Sequence, residues 1–402
     1  MSQRVLLHVG TPKTGTSYLQ DVLFRNREVL AEAGITYAAE RHDSHFLAAL
    51  DLMQLPWGGL QSEAIGAWDA LAAQVREAPG TSIISHEILA TASRAQVGRA
   101  LESLGDAEVH VVLSVRDLVR QIPAEWQENV KHRATLSYAD FLAEIRDPDR
   151  ATRIGSWFWG VQEVPDILDR WGADVPADRV HVVTVPPPGG APEVLWKRFS
   201  QAFGLDGVEL DLEAERANPS LGVPETTLLR RINRRVNADL PPAEYRPLVR
   251  ELLAHQTLSR RQRSPRLALP PELQPWVAEL SQAWIEEIET RGYDVVGDLA
   301  DLRGTVPDPS AYADPDAPRE KLVALAGIDA VKALLLDDAR LRQENERLHA
   351  EVADLRGALE KAYATPSYRI RRGLYLRLEG SALGRGLLGV YRRARGRSSR
   401  SA

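Results

Sequence analysis

Four short apolar runs recur in the first half of this 402-residue chain: "RVLLHVG", "TSIISHE", "VHVVLSVRD" and "RVHVVTVPPP". Each is a compact block rich in valine, isoleucine and leucine. Strands of that kind are buried on both faces, as in a parallel sheet covered by helices. Parallel neighbours need long crossovers, usually helical. The chain supplies them in "SYLQDVLFRNREVLAEAG" and in "APEVLWKRFSQAFG", which Gly204 closes. The fold expected is α/β, a parallel β-sheet flanked by helices.

Composition narrows the function. Apolar content of 44% with 26% charged residues is that of an ordinary globular protein. A net charge of −6 gives no overall nucleic-acid footprint, so no nucleic-acid partner is expected. With no cysteine, disulfides, thiolate metal sites and cysteine nucleophiles are excluded. The N-terminal apolar run is too short for a signal peptide, and no apolar run approaches the length of a membrane span. A cytoplasmic location is expected.

The first apolar run leads into "LLHVGTPKTGTSYLQ", a strand, a glycine-bearing turn and a helix start. Gly10 and Gly15 keep the spacing of a nucleotide-binding loop, G-x-x-x-x-G-K-[ST]. Thr16 stands where that pattern has its lysine, and the lysine comes three residues earlier, as Lys13. Backbone N–H groups from Thr14 to Ser17 can still cradle a phosphate at a helix N-terminus. Hydroxyls of Thr14, Thr16 and Ser17 add donors. No lysine is positioned for a γ-phosphate. The loop suits a nucleotide with one 5′-phosphate carrying a transferable group.

Pro12, Lys13, Thr14, Gly15, Thr16 and Ser17 match P-K-[ST]-G-[ST]-[ST] position by position. The chain thereby resembles the PAPS-dependent sulfotransferases, bacterial type, over residues 1 to about 300. The resemblance implies a P-loop-like fold and 3′-phosphoadenosine 5′-phosphosulfate (PAPS) as cofactor, with no metal. It implies sulfuryl transfer to an acceptor hydroxyl on a carbohydrate, lipid or secondary metabolite, by in-line displacement with a general base. It also implies a strand-end arginine for the nucleotide 3′-phosphate, here Arg116, aided by a serine eight residues on. That position is Ala124 in this chain, so the serine is missing. Lys13 would neutralise charge growing on the leaving 5′-phosphate.

The family's base is a histidine or a glutamate. "IISHEILA" offers His86 and Glu87 just past a strand, where α/β active sites gather. "AERHDSHFLAAL" offers Glu40, His42 and His45. The order of preference is Glu87, His86, His45, and Lys13 completes the catalytic set. Two other readings stay open. A P-loop kinase of small molecules would bind ATP with magnesium, and a non-catalytic assembly protein would bind neither nucleotide.

Aromatic residues in "GSWFWG" (155–160) and Trp126 suit core packing or a pocket wall. Arg230, Arg231, Arg234 and Arg235 give one helix a basic face, either solvated or drawing an anionic acceptor.

Organisation changes towards the C-terminus. The expected division is a catalytic domain at 1–303, a Pro/Asp-rich linker at 304–320, a coiled coil at 321–363 and an arginine-rich tail at 364–402. Leu334, Leu341, Leu348 and Leu355 recur every seven residues, with Val331, Asn345, Val352 and Leu359 at the companion positions. Asp338 is the exception. This pattern predicts a homodimer through residues 331–362, and Asn345 favours a parallel pair. The tail mixes ten arginines of residues 366–402 with apolar residues and one acid, Glu379. It suits peripheral contact with an anionic inner-membrane surface, either as an amphipathic helix or as a disordered segment.

Overall fold

The computed structural model describes residues 2–56, 59–189, 191, 193–213, 220–305 and 308–379. These residues fall into two compact units that divide between Ala330 and Val331.

In the first unit, the four apolar runs are strands β1 (Ser2–His8), β3 (Gly80–Ser85), β4 (Glu108–Val115) and β5 (Val180–Thr184). Two short strands flank them, β2 (Ile35–Tyr37) and β6 (Asp294–Val296). The order across the sheet is β2-β3-β1-β4-β5-β6, and every pair is parallel. Alternate side chains Leu6, Ile83, Val112 and Val183 from the four central strands share a core with Leu19, Leu23, Phe199 and Phe203. Burying each such side chain contributes on the order of 1.5–3 kcal/mol. β2 and β6 are too short for a pattern to announce them.

The first helical run is two helices, Thr16–Arg25 and Arg27–Glu32. The break at Asn26 has a local cause. Its side-chain amide donates to the carbonyls of Val22 and Asp211, pinning the turn to a distant segment. The Glu193–Phe203 helix ends as expected before Gly204, which adopts φ +62°.

The strand order fixes where a ligand can sit. After β1 the chain crosses towards β2, and after β4 it crosses towards β5. The C-terminal ends of β1 and β4 therefore form the topological switch point, where open α/β sheets bind ligands. The Gly10–Gly15 loop follows β1 and Arg116 follows β4.

The Pro/Asp-rich stretch is tied to the rest of the first unit. Thr227 donates to the Pro315 carbonyl, Arg230 pairs with Asp316 at 2.9 Å, and the Ala139 N–H donates to Asp316. One helix, Glu320–Ala364, follows it across the division between units. Val323, Ala326 and Ala330 near its start are buried. In the second unit its leucines are exposed, and a further helix covers Pro366–Glu379. The tail expectation beyond Glu379 lies outside the described residues. Among the described residues, no helix is long and apolar enough to cross a membrane.

Candidate active site

The loop after β1 is shaped by what lies against it. Gly10 has φ +106°, and a Cβ there would come within 2.8 Å of the Glu87 carbonyl oxygen. Gly15 has φ +92° and would meet Leu195 at the same distance. Both positions therefore require glycine. Lys13 is left-handed as well, at φ +65°. The Thr16–Arg25 helix begins immediately after Gly15, so its first N–H groups face the loop.

A buried polar chain fixes the loop from beneath. His8 bridges Ser85 (2.8 Å) and Ser114 (3.0 Å). Ser114 in turn contacts Thr14 at 2.6 Å and donates to the Gly10 carbonyl. Thr14 also donates to the Thr11 carbonyl. Full burial lowers the His8 pKa to about 4, so the imidazole is neutral. Thr14 is thus occupied within the protein, whereas Ser17 is exposed.

Across the switch point, Asp117 caps the Leu118–Lys131 helix by accepting from the Arg120 N–H. Arg116 is half-buried. Its one hydrogen bond to a described residue runs from Nη2 to the Arg120 carbonyl, and its Nε is buried with no partner. Burial first, then the neighbouring Arg120, pulls its pKa down to about 10, against the opposing charges of Asp117 and Glu125. Arg120 Nη2, Gln121 Oε1 and Glu125 Oε2 are likewise buried without partners. Gln121 uses its amide nitrogen to hold the Pro12 carbonyl at 2.6 Å, tying loop to helix. Such a concentration of unpaired buried groups at one helix start is costly unless a polar ligand completes it.

Lys13 reaches across to this same helix. Its Nζ donates to Glu128 Oε2 at 2.5 Å. Lys131, His132 and Arg250 also lie within 4 Å of Glu128. Burial opposes ionisation of Glu128, but Lys13, His132 and Lys131 outweigh it and hold the carboxyl well below the usual range. One turn earlier, Glu125 is pushed up to about 7 by burial, opposed by Lys13 and Arg116 and assisted by Glu128. Neither glutamate was a sequence candidate. The available signal was their i, i+3 spacing on the helix that follows Arg116.

The three candidate bases occupy different surroundings. Glu87 abuts the loop at Gly10 and accepts a hydrogen bond from Gln20 of the Thr16–Arg25 helix at 2.9 Å. Burial raises its pKa, but His86, Gln20 and His8 outweigh that, leaving it ionised at neutral pH. His86 stacks on Phe46 and its Nδ1 accepts from the Ile88 N–H. Both ring nitrogens of His45 are engaged by backbone. Nε2 donates to the Ala38 carbonyl and Nδ1 accepts from the Ser85 N–H, and burial lowers its pKa to about 4. Glu87 lies against the loop at Gly10, Arg116 follows the neighbouring strand β4, and His45 braces the backbone at Ser85.

The other candidates sit apart. Trp126, Phe158 and Trp159 are core residues. Arg230 and Arg231 pair with Asp316 and Glu320. A cavity of about 360 Å³ lined by Val223, Pro265, Tyr312 and Leu322 includes none of the loop residues. Among the described residues, no group of three or more histidines and carboxylates is arranged to hold a metal ion.

No family model matches the chain, and no curated protein matches it. Among solved structures, the chain is similar to a sulfotransferase from Alicyclobacillus acidocaldarius, with 17% identity over 61% of this chain and 94% of that one, at a TM-score of 0.37.

Proposed function

We propose that this chain is a PAPS-dependent sulfotransferase. The observation that carries the reading is the pairing of the Pro12–Ser17 loop with Arg116 at one switch point. The loop presents helix-start N–H groups for a 5′-phosphate. Arg116 and Arg120 carry buried, unpartnered guanidinium nitrogens that suit the 3′-phosphate, and they stand in for the serine absent at Ala124. PAPS supplies the sulfuryl group on a 5′-phosphate leaving group.

The protein's part is positioning and electrostatics. Thr14–Ser17 hold the phosphate end at the helix N-terminus. Lys13 neutralises charge on the leaving oxygen. Glu87, ionised and adjacent to Gly10, accepts the proton of the acceptor hydroxyl. Of the sequence candidates, Glu87 is preferred to His45 because both His45 nitrogens are already engaged.

Thermal-shift and calorimetric titration with 3′,5′-adenosine bisphosphate (PAP), ATP, and ATP with magnesium tests the reading. PAP binding without metal is expected. Preference for ATP with magnesium would make the chain a kinase, and binding of neither would leave it an assembly protein.

A further inference from the structure

We infer that the acceptor carries an oxyanion, held beside Lys13 by Arg250, His255 and Lys131. This rests on the sulfotransferase reading and names the class of its second substrate.

The argument begins with charge. Lys13, Lys131 and Arg250 converge on one carboxylate, Glu128, at 2.5, 3.7 and 3.7 Å. His132 is 3.2 Å from the same group. Among the described residues, the nearby carboxylates also include Glu125, whose pKa of about 7 leaves it partly neutral, and the half-exposed Glu251, 3.6 Å from His255. Three cationic side chains thus meet where solvent is scarce, since Lys131 is only 2% exposed. Its ammonium titrates near 8, lowered by burial and by Lys13 and Arg250, against the pull of Glu128.

Geometry supplies the receptor. Arg250 and His255 lie in a π-helical segment, Arg246–Thr257, where residues five apart share a face. Glu128 and Lys131 share a face of the helix opposite. Two N-bearing edges of the segment, Arg250 Nε and His255 Nε2, are buried without a hydrogen-bond partner. An oxyanion would accept from Arg250 Nε and from the Nε2–H tautomer of His255, and would be attracted to the ammonium groups of Lys13 and Lys131. A neutral oxygen could accept from them too, but without the charge-assisted strength that an anion gains beside Arg250 and Lys131. Because Lys13 belongs to this group and to the phosphate loop, the anion lies next to the transfer site. Carboxylate, sulfate and phosphate monoesters share the required chemistry.

The test uses inorganic sulfate and acetate as probes, titrated calorimetrically into the full-length protein with and without saturating PAP. Sulfate should bind with PAP present, and Arg250→Gln and His255→Asn should each weaken it about tenfold or more, with partial recovery in Arg250→Lys. Acetate binding that is lost in the same variants would extend the site to carboxylates; sulfate alone would restrict it to tetrahedral anions. Absence of sulfate binding to wild type overturns the inference. So does a loss caused by Arg116→Ala but not by Arg250→Gln, which puts the anion at the nucleotide site. Failure of PAP to bind overturns the sulfotransferase reading instead, and the variant comparison without PAP still decides this one.

A separate observation concerns the second unit. We propose that a second copy of this chain covers the leucine seam, parallel and in register. Leu334, Leu341, Leu348 and Leu355 are 41–63% exposed in the single chain. With these at the d positions, the g positions carry Asp337, Glu344, Glu351 and Ala358, and the e positions carry Leu335, Arg342, His349 and Arg356. In a parallel pair each g faces the partner's following e, giving Asp337–Arg342, Glu344–His349 and Glu351–Arg356. An antiparallel pair would set acid against acid and base against base. Asp338, the one charged a position, keeps Arg342 at 2.9 Å.

The native chain has no cysteine, so single cysteines report orientation directly. Leu334→Cys and Val352→Cys, both off the centre of the seam, should each oxidise to a disulfide-linked dimer. A monomer by analytical ultracentrifugation, or a dimer in which neither variant crosslinks, overturns the proposal.

Discussion

Lys13 and Glu128 are 115 positions apart, yet Lys13 Nζ and Glu128 Oε2 lie 2.5 Å from one another. This contact joins the loop after β1 to the helix after β4, across the switch point of the sheet. It also pairs the proposed catalytic lysine with a carboxylate of that helix.

Lys13→Ala should therefore reduce sulfuryl transfer about 10²–10³-fold, the loss typical of a donor at a developing oxyanion. Glu128→Gln should act oppositely on PAP affinity, which rises when the competing charge is removed. Steady-state turnover and PAP calorimetry check the pair. Turnover of Lys13→Ala above a tenth of wild type would remove Lys13 from the catalytic set.

Arg116→Ala should weaken PAP by about 30–150-fold, in line with about 2–3 kcal/mol for a charge-assisted contact. Adenosine 5′-phosphosulfate lacks the 3′-phosphate and should lose far less. Equal losses for the two ligands would show that Arg116 reads some other group.

Glu125 should couple PAP binding to proton uptake. Burial holds its pKa near 7, and an arriving anion beside Lys13 and Arg116 raises it further. The neutral form is then favoured, so PAP affinity should fall as pH rises from about 6 to 8. Calorimetry in buffers of different ionisation enthalpy should show uptake of a fraction of a proton. Glu125→Gln should abolish both effects; if they persist, the proton goes elsewhere.

Fold stability should fall in acid for a separate reason. His8 and His45 titrate near 4 when folded, lowered by burial, against 6.5 when unfolded. Between these values the unfolded chain binds more protons. Stability from these two groups is complete above pH 6.5 and is lost towards pH 4, by up to about 1.4 kcal/mol per pH unit for each. Denaturant melts across that window check the slope, and His45→Asn should make it shallower.

Where the chain is cut matters. A chain ending at Ala330 should keep the stability of the first unit. One ending at Pro309 removes buried Val323, Ala326 and Ala330 and strips Arg230 and Arg261 of Asp316 and Asp329. Its Tm should be lower by several degrees, as loss of a few kcal/mol from a domain this size implies. Equal melting temperatures would mean that residues 310–330 add nothing to the first unit.

The sequence by itself determined the parallel α/β sheet, because blocks such as Val5–Val9 and Val111–Val115 can be satisfied only with both faces covered. It also determined the loop chemistry, since Gly10, Lys13 and Gly15 are local spacings, and the leucine seam, which is a repeat along one helix. Tertiary structure alone decided what meets the loop. Strand order brought Glu87 against Gly10 and put Arg116 at the end of the strand beside β1, and these placements depend on crossovers that no local pattern records. The same holds for Glu125 and Glu128. On the helix they read as ordinary acids, and only burial beside Lys13 drives one pKa up and the other down. His45 reads as a candidate base until the fold gives both its nitrogens to backbone groups at Ala38 and Ser85. Spacing fixes what a residue can do; desolvation and long-range neighbours, set by the fold, fix which charge state it holds.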